Sequence, residues 1–296
     1  MAGYFVNHRL LNWMPDKPYL QIFYYAEFGK FIDFKNPKTF NEKLNWLKLY
    51  YRRPDLITLV DKYEVKKYIA DKIGEQYVIP TLGVWDKFED INFNELPNQF
   101  VLKCTHDSGG LVVCKDKSKL NLKEVKAKIE KSLTNNYYLW TREWPYKGVK
   151  PRIIAEKYME DQETGELRDY KFLCFNGEPK LMYVASERGS KNTKFDFYDM
   201  QFHHMSIVQH YLNSECSIRK PEHFEKMVTL AEKLSAGFPH VRVDFYEANG
   251  QVYFGEMTFY HMGAIVPFET KEWDKKIGDW LVLPDKINEC FGERNL

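Results

Sequence analysis

Two carboxylates and one hydroxyl near the C-terminal end of the chain have the types and spacing of a metal site. Asp244 lies in one run of alternating apolar residues, and Glu256 and Thr258 lie in the next. Side chains two positions apart on a strand share a face, so two paired strands would bring these oxygen groups together. Oxygen ligands of this kind suit Mg²⁺. The pattern predicts a magnesium site, beside which Arg242 would stabilise a phosphoryl group during its transfer.

The register of this hairpin decides whether the carboxylates of Asp244 and Glu256 face the same way. They share a face only if directly paired residues have position numbers with an even sum. A two-residue turn at Asn249-Gly250 gives an odd sum and separates them. A three-residue loop with Gly250 left-handed, or a bulge at Gly255, gives an even sum. We predict one of these irregularities, and a regular two-residue hairpin would count against the metal site. The alternative is that Asp244 and Glu256 are solvated charges on the open face of the hairpin.

A second candidate segment is a strand followed by a glycine-containing loop. The apolar run of residues 100–104 contains Lys103, and the loop after it contains Ser108, Gly109 and Gly110. Glycines let a loop turn its backbone N–H groups toward phosphates, and the lysine adds a positive charge. An ordinary hairpin with a flexible tip is the alternative. The chain has neither a Gly-Lys-Ser/Thr motif nor a G-x-G-x-x-G motif, which argues against P-loop and Rossmann folds.

A third segment has the character of a hinge that holds a nucleotide base. The apolar run from residue 152 ends in Glu156, Lys157, Tyr158 and Met159. Backbone groups there would read the edge of an adenine ring, Met159 and Tyr158 would cover its face, and Asp169 would accept from ribose hydroxyls. An amphipathic strand with a charged end is the plainer interpretation. Further upstream, Lys62 is either a phosphate-reaching cation or a surface lysine in a first helical turn.

The elements that must position these residues are mixed. The first 75 or so residues have helical spacing with Pro54 between two segments, and residues 77–80, 100–104 and 111–114 have the character of strands. Asn121 is predicted to start a helix. A second lobe is expected from Pro151, with hairpins at Asn176-Gly177 and Asn249-Gly250 and a helix over residues 221–235. Hairpins interspersed with helices indicate an α+β architecture.

Composition narrows the class of protein. The chain has 296 residues, 44% of them hydrophobic and 29% charged, with a formal net charge of +1. This composition lacks the excess of basic residues that is typical of a nucleic-acid-binding protein. We expect no transmembrane segment and no signal peptide, because no apolar run is long enough. The five cysteines are odd in number and show no close pair, which favours reduced thiols and a cytoplasmic location.

Taken in order, these segments resemble the ATP-grasp superfamily, and more closely the TupA-like ATP-grasp family of teichuronopeptide and capsular polysaccharide biosynthesis. The resemblance extends over roughly residues 35 to 268. It is carried by Pro37-Lys38-Thr39-Phe40-Asn41-Glu42-Lys43-Leu44, Val60-Asp61-Lys62-Tyr63, Phe100-Val101-Leu102-Lys103-Cys104, Asp169-Tyr170-Lys171-Phe172, Arg242-Val243-Asp244 and Phe254-Gly255-Glu256-Met257-Thr258-Phe259.

The resemblance implies an ATP-grasp fold, in which two α+β lobes grip a nucleotide, preceded here by a short helical segment. It implies boundaries at residues 1–60, 61–150 and 151–296, and ATP with Mg²⁺ as cofactors. By position, Lys62 and Lys103 would contact phosphates, residues 108–110 would cover them, residues 156–159 would hold adenine and Asp169 would hold ribose.

For the metal, the resemblance implies Asp244 and Glu256 as ligands and Arg242 as the residue that stabilises the transferring phosphoryl group. Thr258 departs from the pattern, because wider ATP-grasp enzymes usually have Asn there, so it is expected to be a weaker ligand. Only about 60 residues precede the Asp-Lys helix, whereas many ATP-grasp ligases carry a full α/β domain there. The acceptor site is therefore not carried over from them.

The expected activity is an ATP-dependent carboxylate–amine ligase that joins a uronic acid of a polysaccharide precursor to an amino acid or another amine. Arg168, Lys171 and Arg188 are candidate carboxylate or sugar contacts, and the aromatic run over residues 137–146 is either a sugar-stacking lid or core. The expected partners are these small or saccharide substrates, with possible peripheral association with membrane-bound polysaccharide machinery. The alternatives are a sugar kinase on the same fold, a glycosyltransferase without an Asp-x-Asp motif, and a non-enzymatic nucleotide-binding module.

Overall fold

The computed structural model describes residues 10–162, 165, 167–187 and 192–287. Its N-terminal part is helical, as predicted. The helices are α1 (Asp16–Phe28), α2 (Phe40–Tyr50), α3 (Asp55–Val60) and α4 (Val65–Ile73). Thr39 and Glu42 form a capping box that starts α2. Asp61 accepts hydrogen bonds from the backbone N–H groups of Tyr63 and Glu64, and so orders the turn that leads into α4.

A four-stranded antiparallel sheet follows, with spatial order β1-β4-β2-β3. Its strands are β1 (Thr81–Trp85), β2 (Phe100–Cys104), β3 (Leu111–Cys114) and β4 (Ile153–Lys157). Helix α5 (Leu122–Leu133) begins after Asn121, whose side chain accepts from the Glu124 N–H, as the sequence predicted. The short helix α6 (Tyr138–Thr141) comes next along the chain.

The strand predicted over residues 77–80 was wrong. Residues Glu75–Tyr77 form a 3₁₀ turn, and the strand begins only at Thr81. Pro80 explains the boundary, because proline has no N–H to donate to a ladder, although its carbonyl still accepts from the Lys157 N–H. Tyr77 and Ile79 are buried, so the apolar run reflects packing rather than a strand.

A six-stranded antiparallel sheet forms the second layer, with order β10-β9-β5-β6-β7-β8. The strands are β5 (Asp169–Phe175), β6 (Glu178–Ser186), β7 (Lys194–Tyr198), β8 (His204–Met205), β9 (His240–Ala248) and β10 (Gln251–Thr258). Asn176 and Gly177 both have positive φ and join β5 to β6 in a two-residue turn, which confirms that hairpin. Helix α7 (Phe224–Ser235) covers one face of this sheet, and α8 (Lys271–Trp280) packs on α2.

The apolar residues form two main cores. The larger one joins α1 to α4 with α7 and the six-stranded sheet, where Phe172 contacts Phe224 and Phe245. The smaller one lies between the four-stranded sheet and α5, around Phe100 and Ile129. Strand β4 contributes Ile153 and Ala155 to the smaller core, so that sheet draws on both sides of the boundary predicted at residue 151. The two sheets therefore have separate cores and meet along a cleft.

Within the described ranges, none of the helices has the length and apolar character needed to cross a bilayer.

Candidate active site

A cleft of about 650 Å³ lies between the two sheets. One wall comes from α4, β2 and the loop between β2 and β3, and the other comes from the end of β4 and from β10. Ten of the residues singled out from the sequence line it: Lys62, Lys103, Ser108, Gly109, Gly110, Glu156, Lys157, Tyr158, Met159 and Glu256. These residues lie far apart in the chain, so the fold gathers most of the predicted nucleotide-contacting set around one space.

The β9–β10 hairpin contains the bulge that the carboxylate arrangement required. Asn249 and Gly250 form a two-residue turn, and Phe254 pairs with Phe245, which is an odd-sum register. The register then shifts, and Glu256 pairs with Asp244. Gly255 is the extra residue, and this confirms the second of the two predicted irregularities. The shift brings Glu256 onto the face that Asp244 occupies.

Asp244 lies at the centre of a buried ion network on this face. The Arg242 guanidinium donates to both of its carboxylate oxygens, each at 2.7 Å, and the Lys171 ammonium contacts one of them at 2.5 Å. Lys171 also lies 2.6 Å from the carboxylate of Asp169. Burial opposes ionisation of Asp244, but Arg242 and Lys171 outweigh it and hold its pKa below the ordinary value. Asp244 is therefore a carboxylate whose charge is fixed by two cations.

Glu256 is the more open carboxylate of the pair. It is half-buried at the cleft wall, and within the described part of the chain no lysine or arginine lies within ion-pair distance of it. Its Oε1 accepts from the Thr258 hydroxyl at 3.0 Å. Burial acts to raise the pKa of Glu256, but the charges of Lys62 and Arg242 outweigh it and lower the pKa. Glu256 is thus an ionised carboxylate whose oxygens can still coordinate a metal ion.

The chemistry of these groups fits Mg²⁺. Asp244, Glu256 and Thr258 offer only oxygen atoms as ligands. A carboxylate has about four lone-pair sites, so Asp244 can still coordinate a metal ion while it binds Arg242 and Lys171. Among the described residues, no three His, Cys, Asp or Glu side chains converge as a metal cluster. Mg²⁺ in nucleotide sites usually takes one or two carboxylates and fills its shell with phosphates and water. Two carboxylates at the edge of a cleft are consistent with that mode.

Glu156 lies between two lysines on the opposite wall. Its carboxylate oxygens lie 2.6 Å from Lys66 and 2.5 Å from Lys103, and the residue is only 5% exposed. Burial would raise its pKa, but the two ammonium groups hold the pKa below the ordinary value. The side chain of Glu156 therefore positions two cations at the cleft, whereas the sequence had suggested that this stretch holds a base.

Lys66 was missed by the sequence analysis. It follows Lys62 by four residues, which is one helical turn, and its ammonium also donates to the Ile79 carbonyl at 2.7 Å. That spacing was the available signal, because residues four apart lie on one side of a helix. Lys62, Lys66 and Lys103 together place three ammonium groups along one wall of the cleft.

The loop between β2 and β3 is held at its base. The Lys62 N–H donates to the Thr105 carbonyl at 3.2 Å, and its ammonium donates to the Asp107 carbonyl. Asp107 in turn accepts from Ser132 of α5 and from the Gly110 N–H. A Cβ at Gly110 would lie 2.0 Å from the Ser132 hydroxyl oxygen, so only glycine fits there. Ser108 and Gly109 remain exposed at the tip of the loop and line the cleft.

The cleft also has an apolar lining. Its lining includes Val78, Ile79, Val101, Leu111, Val113, Leu167 and Phe254. Met159 and Tyr158 follow β4 and are half-buried, whereas Lys157 is exposed. A flat aromatic group such as a nucleobase is the kind of ligand that such walls enclose. The cleft is thus lined both by charged lysines and by apolar side chains.

The aromatic run near residue 140 borders the metal-ligand face. Tyr137 and Tyr146 are half-buried with ring centroids 4.8 Å apart, and Trp144 is buried. Burial raises the pKa of Tyr137 well above its ordinary value, and the charges of Glu143 and Glu256 add to this. Trp144 therefore belongs to the core, while the two tyrosines lie near enough to Glu256 to feel its charge.

The remaining predicted residues lie outside the cleft lining. Asp169 is buried in the ion network beside Lys171, below the cleft, so its proposed contact with ribose remains a prediction. Arg242, Asp244 and Thr258 are buried on the same face of the sheet. Arg188 lies outside the described residues.

Comparisons with known proteins found one family model and several solved structures to which this chain is similar. A family model described as TupA-like ATP-grasp matches residues 42–282. D-alanine–D-alanine ligase from Bacillus anthracis complexed with ATP is 18% identical, with 69% of this chain and 54% of that chain covered and a TM-score of 0.41. L-amino acid ligase from Bacillus licheniformis is 11% identical, with 85% and 57% covered and a TM-score of 0.48. The chain thus spans less than two thirds of the length of these structures. No curated protein matched it.

Proposed function

The chain belongs to the TupA-like ATP-grasp family, and on that premise we propose that it is an ATP-dependent carboxylate–amine ligase. The proposed substrates are a uronic acid of a capsular or cell-wall polysaccharide precursor and an amino acid or another amine. The observation that carries the proposal is the bulge at Gly255, which aligns Glu256 with Asp244 at the edge of the lysine-lined cleft. We propose that the protein works in the cytoplasm, where ATP is supplied, with possible peripheral contact to membrane-bound polysaccharide machinery.

The proposed nucleotide pose uses both the apolar and the charged residues that line the cleft. Adenine would lie against the apolar walls near Met159, with Tyr158 at the rim. The phosphates would lie near Lys62, Lys66 and Lys103, under the tip of the loop at residues 108–110. Lysine suits this role because its ammonium is a compact charge with three rotatable donors. Bound Mg²⁺, held by Asp244 and Glu256 with Thr258 as a weaker ligand, would neutralise phosphate charge.

The first chemical step is transfer of the γ-phosphoryl group to the acid. A carboxylate oxygen of the uronic acid forms a bond to the γ-phosphorus, and the bond from that phosphorus to the β–γ bridging oxygen breaks, which yields an acyl phosphate and ADP. Arg242 uses two of its five N–H groups on Asp244, so three remain to stabilise the charge of the transferring group. Lys171 acts in this scheme as a positioning residue, because it holds both Asp169 and Asp244.

The second step forms the amide. The amine nitrogen attacks the acyl carbon, the bond from that carbon to the phosphate oxygen breaks, and inorganic phosphate leaves while the nitrogen loses a proton. Arg168 and Arg188 remain the proposed contacts for the acceptor carboxylate or sugar. The fate of the phosphate separates this reaction from a sugar kinase on the same fold, which would leave a phosphosugar and release no inorganic phosphate.

The nucleotide site is tested by thermal unfolding with ADP and Mg²⁺. A ligand that binds only the native state raises the free energy of unfolding by about 2.7 kcal/mol at 100 times its dissociation constant. We expect a magnesium-dependent rise in Tm that Glu256→Gln abolishes. Glu178→Gln is the matched control, since Glu178 is an exposed glutamate at the start of β6 and outside the cleft lining.

The outcome decides what is measured next. A magnesium-dependent shift in the wild type and the control, but not in Glu256→Gln, justifies a screen of uronic acids and amines with inorganic phosphate as readout. The absence of any shift at millimolar ADP and Mg²⁺ would contradict the proposed nucleotide site. Formation of a phosphosugar in place of free phosphate would replace the ligase with a kinase.

A further inference from the structure

The segment that leaves the four-stranded sheet is fastened to the tip of the β9–β10 hairpin. This segment, residues 158–162, follows β4 on the way to β5 of the other sheet, and we call it the sheet linker. The tip of the hairpin is the two-residue turn of Asn249 and Gly250. The atoms that join the linker to the turn belong to residues 87 to 89 positions apart, so the contact is a tertiary one.

Three hydrogen bonds join Asn249 to the sheet linker. Its side-chain amide donates to the Glu160 carbonyl at 3.2 Å and accepts from the Gln162 N–H at 3.1 Å. Its backbone N–H donates to the Asp161 carboxylate at 2.9 Å. The side chain therefore pairs with one acceptor and one donor of the linker backbone at the same time. This double role requires an amide, because an ionised carboxylate only accepts.

The turn itself does not require this side chain. Asn249 has a φ of +52°, and so does Asn176, which opens the Asn-Gly turn between β5 and β6. Glycine adopts such positive φ values as readily as asparagine does, and it is common in two-residue hairpin turns. The Asn176 side chain donates elsewhere, to the Trp280 carbonyl at 3.0 Å. The linker contacts of Asn249 are therefore additional to what closes the hairpin.

The sheet linker lines the cleft with Tyr158, Met159 and Glu160. In the described part of the chain, neither the backbone N–H nor the carbonyl of Met159 has a hydrogen-bond partner. Backbone polar groups of this kind need partners, so these two are available to a ligand. Adenine carries its 6-amino donor beside acceptor nitrogens, and its edge could pair with both groups.

The hairpin that Asn249 closes also carries the proposed metal ligands. Strand β10 begins at Gln251, beside the tip, and Glu256 lies five positions farther along the same strand. Asp244 lies on the partner strand opposite Glu256. One hairpin therefore contacts the sheet linker at its tip and presents the two carboxylates along its length. It can hold the residues proposed for the base and those proposed for the metal in a fixed relation.

We propose that Asn249 is a positioning residue for base selection, because it fastens the sheet linker to the hairpin and so holds the backbone groups of Met159 in place for adenine. Asn249 does not itself line the cleft, so it acts through the linker. The inference rests on the nucleotide site proposed above, and it adds a residue that determines which base that site accepts.

The test compares two nucleotides on the full-length protein. They are ADP and inosine diphosphate, which has a carbonyl oxygen in place of the 6-amino group. Calorimetric titration in the presence of Mg²⁺ gives both dissociation constants. Asn249→Gly keeps the turn and removes the side-chain contacts, and Asp161→Ala removes the backbone contact from the side of the linker. Asn176→Gly is the matched control, because it makes the same change at the equivalent turn of another hairpin.

We expect the wild type to bind ADP more tightly than inosine diphosphate. Asn249→Gly should weaken ADP binding about fivefold and reduce the preference for ADP about threefold or more, since each lost hydrogen bond costs about two- to tenfold. Asp161→Ala should shift both quantities in the same direction. Asn176→Gly should change either of them less than about twofold.

An unchanged preference for ADP in Asn249→Gly would overturn the proposal, even with weaker binding, because a merely structural contact would affect both nucleotides alike. Equal effects of the two glycine variants would overturn it as well, and so would a wild type that binds both nucleotides equally. Absence of ADP binding by the wild type is the separate result that contradicts the nucleotide site itself, and this inference with it.

Discussion

Asp244 and Glu256 are direct partners across the β9–β10 hairpin, although the turn that closes this hairpin would by itself place them on opposite faces. The two-residue turn sets an odd-sum register up to Phe254, and the extra residue Gly255 converts it to an even-sum register. A single residue therefore decides whether the two carboxylates face the same side and could bind one metal ion together. The same shift brings Thr258 opposite Arg242.

Replacement of Gly255 should disturb this pairing. In Gly255→Ala the new Cβ would lie 3.1 Å from the Asp244 carbonyl oxygen and 3.1 Å from the Tyr246 ring. Backbone cannot move aside cheaply, so we expect a loss of about 1–3 kcal/mol in the free energy of unfolding. We also expect weaker magnesium-dependent ADP binding, because Glu256 must shift relative to Asp244. Denaturant unfolding and ADP titration measure the two effects.

Gly109→Ala is the control for the stability effect alone, because Gly109 belongs to the loop proposed to cover the phosphates. Its Cβ would meet nothing nearer than 3.9 Å, so stability should change little. A Gly255→Ala protein with unchanged stability and unchanged ADP affinity would show that the bulge does not position the carboxylates.

Lys66 should contribute to nucleotide binding, although only the structure identified it. Its ammonium lies at the cleft wall beside Glu156, whereas the next residue, Lys67, is on the surface and pairs with Asp71. A hydrogen bond to a charged group contributes about 1.5–3 kcal/mol, so Lys66→Met should weaken ADP binding about tenfold or more. Lys67→Met should leave it unchanged. Calorimetric titration with ADP checks both, and equal affinities in the two variants would remove Lys66 from the site.

Glu156 should stabilise the fold through the two lysines that it neutralises. Glu156→Gln leaves Lys66 and Lys103 facing each other without a counter-charge, although both are partly solvated. We expect a loss of about 1–3 kcal/mol at pH 7. Glu160→Gln, which removes a surface partner of Lys115, should lose less than about 1 kcal/mol.

The pH dependence of that loss has a definite sign. The pKa of Glu156 is lowered in the folded protein, so its contribution is present above the unfolded value of about 4.3 and disappears as the pH falls through the folded value. The difference between wild type and Glu156→Gln should therefore shrink below pH 4 in urea unfolding. A difference that grows toward low pH would contradict the ion-pair account.

His240 should make the protein sensitive to acid. It is 1% exposed, its Nδ1 lies 2.9 Å from the Cys174 carbonyl oxygen, and burial lowers its pKa to about 3, with a further contribution from Arg242. Between that value and the ordinary value of about 6.5, the unfolded chain binds a proton that the folded chain does not. Stability should fall by up to about 1.4 kcal/mol per pH unit as the pH drops through this window.

His240→Asn keeps a donor near the position of Nδ1 and cannot titrate. Its free energy of unfolding should therefore depend less steeply on pH between about 4 and 6. The surface residue His203 provides the control, and His203→Asn should keep the wild-type slope. Parallel slopes for His240→Asn and wild type would show that His240 does not cause the acid sensitivity.

Local patterns determined much of this protein. The capping residues of α5, the turn at Asn176-Gly177 and the strand alternation around Asp244 are all decided within a few residues, because the periods of helices and strands and the left-handed preference of Asn-Gly are local properties. The two-residue period of a strand also limited the β9–β10 hairpin to two irregularities that could align Asp244 with Glu256. The order of the motifs along the chain was enough to indicate the family.

Tertiary structure decided the rest. It chose the bulge at Gly255 over a longer loop, two alternatives that the spacing of residues in the sequence left open. It turned Glu156 toward Lys66 and Lys103, because a buried carboxylate must find a cation, and these cations come from other elements. Such pairings join residues up to 90 positions apart, so periodicity and spacing in the sequence carry no record of them.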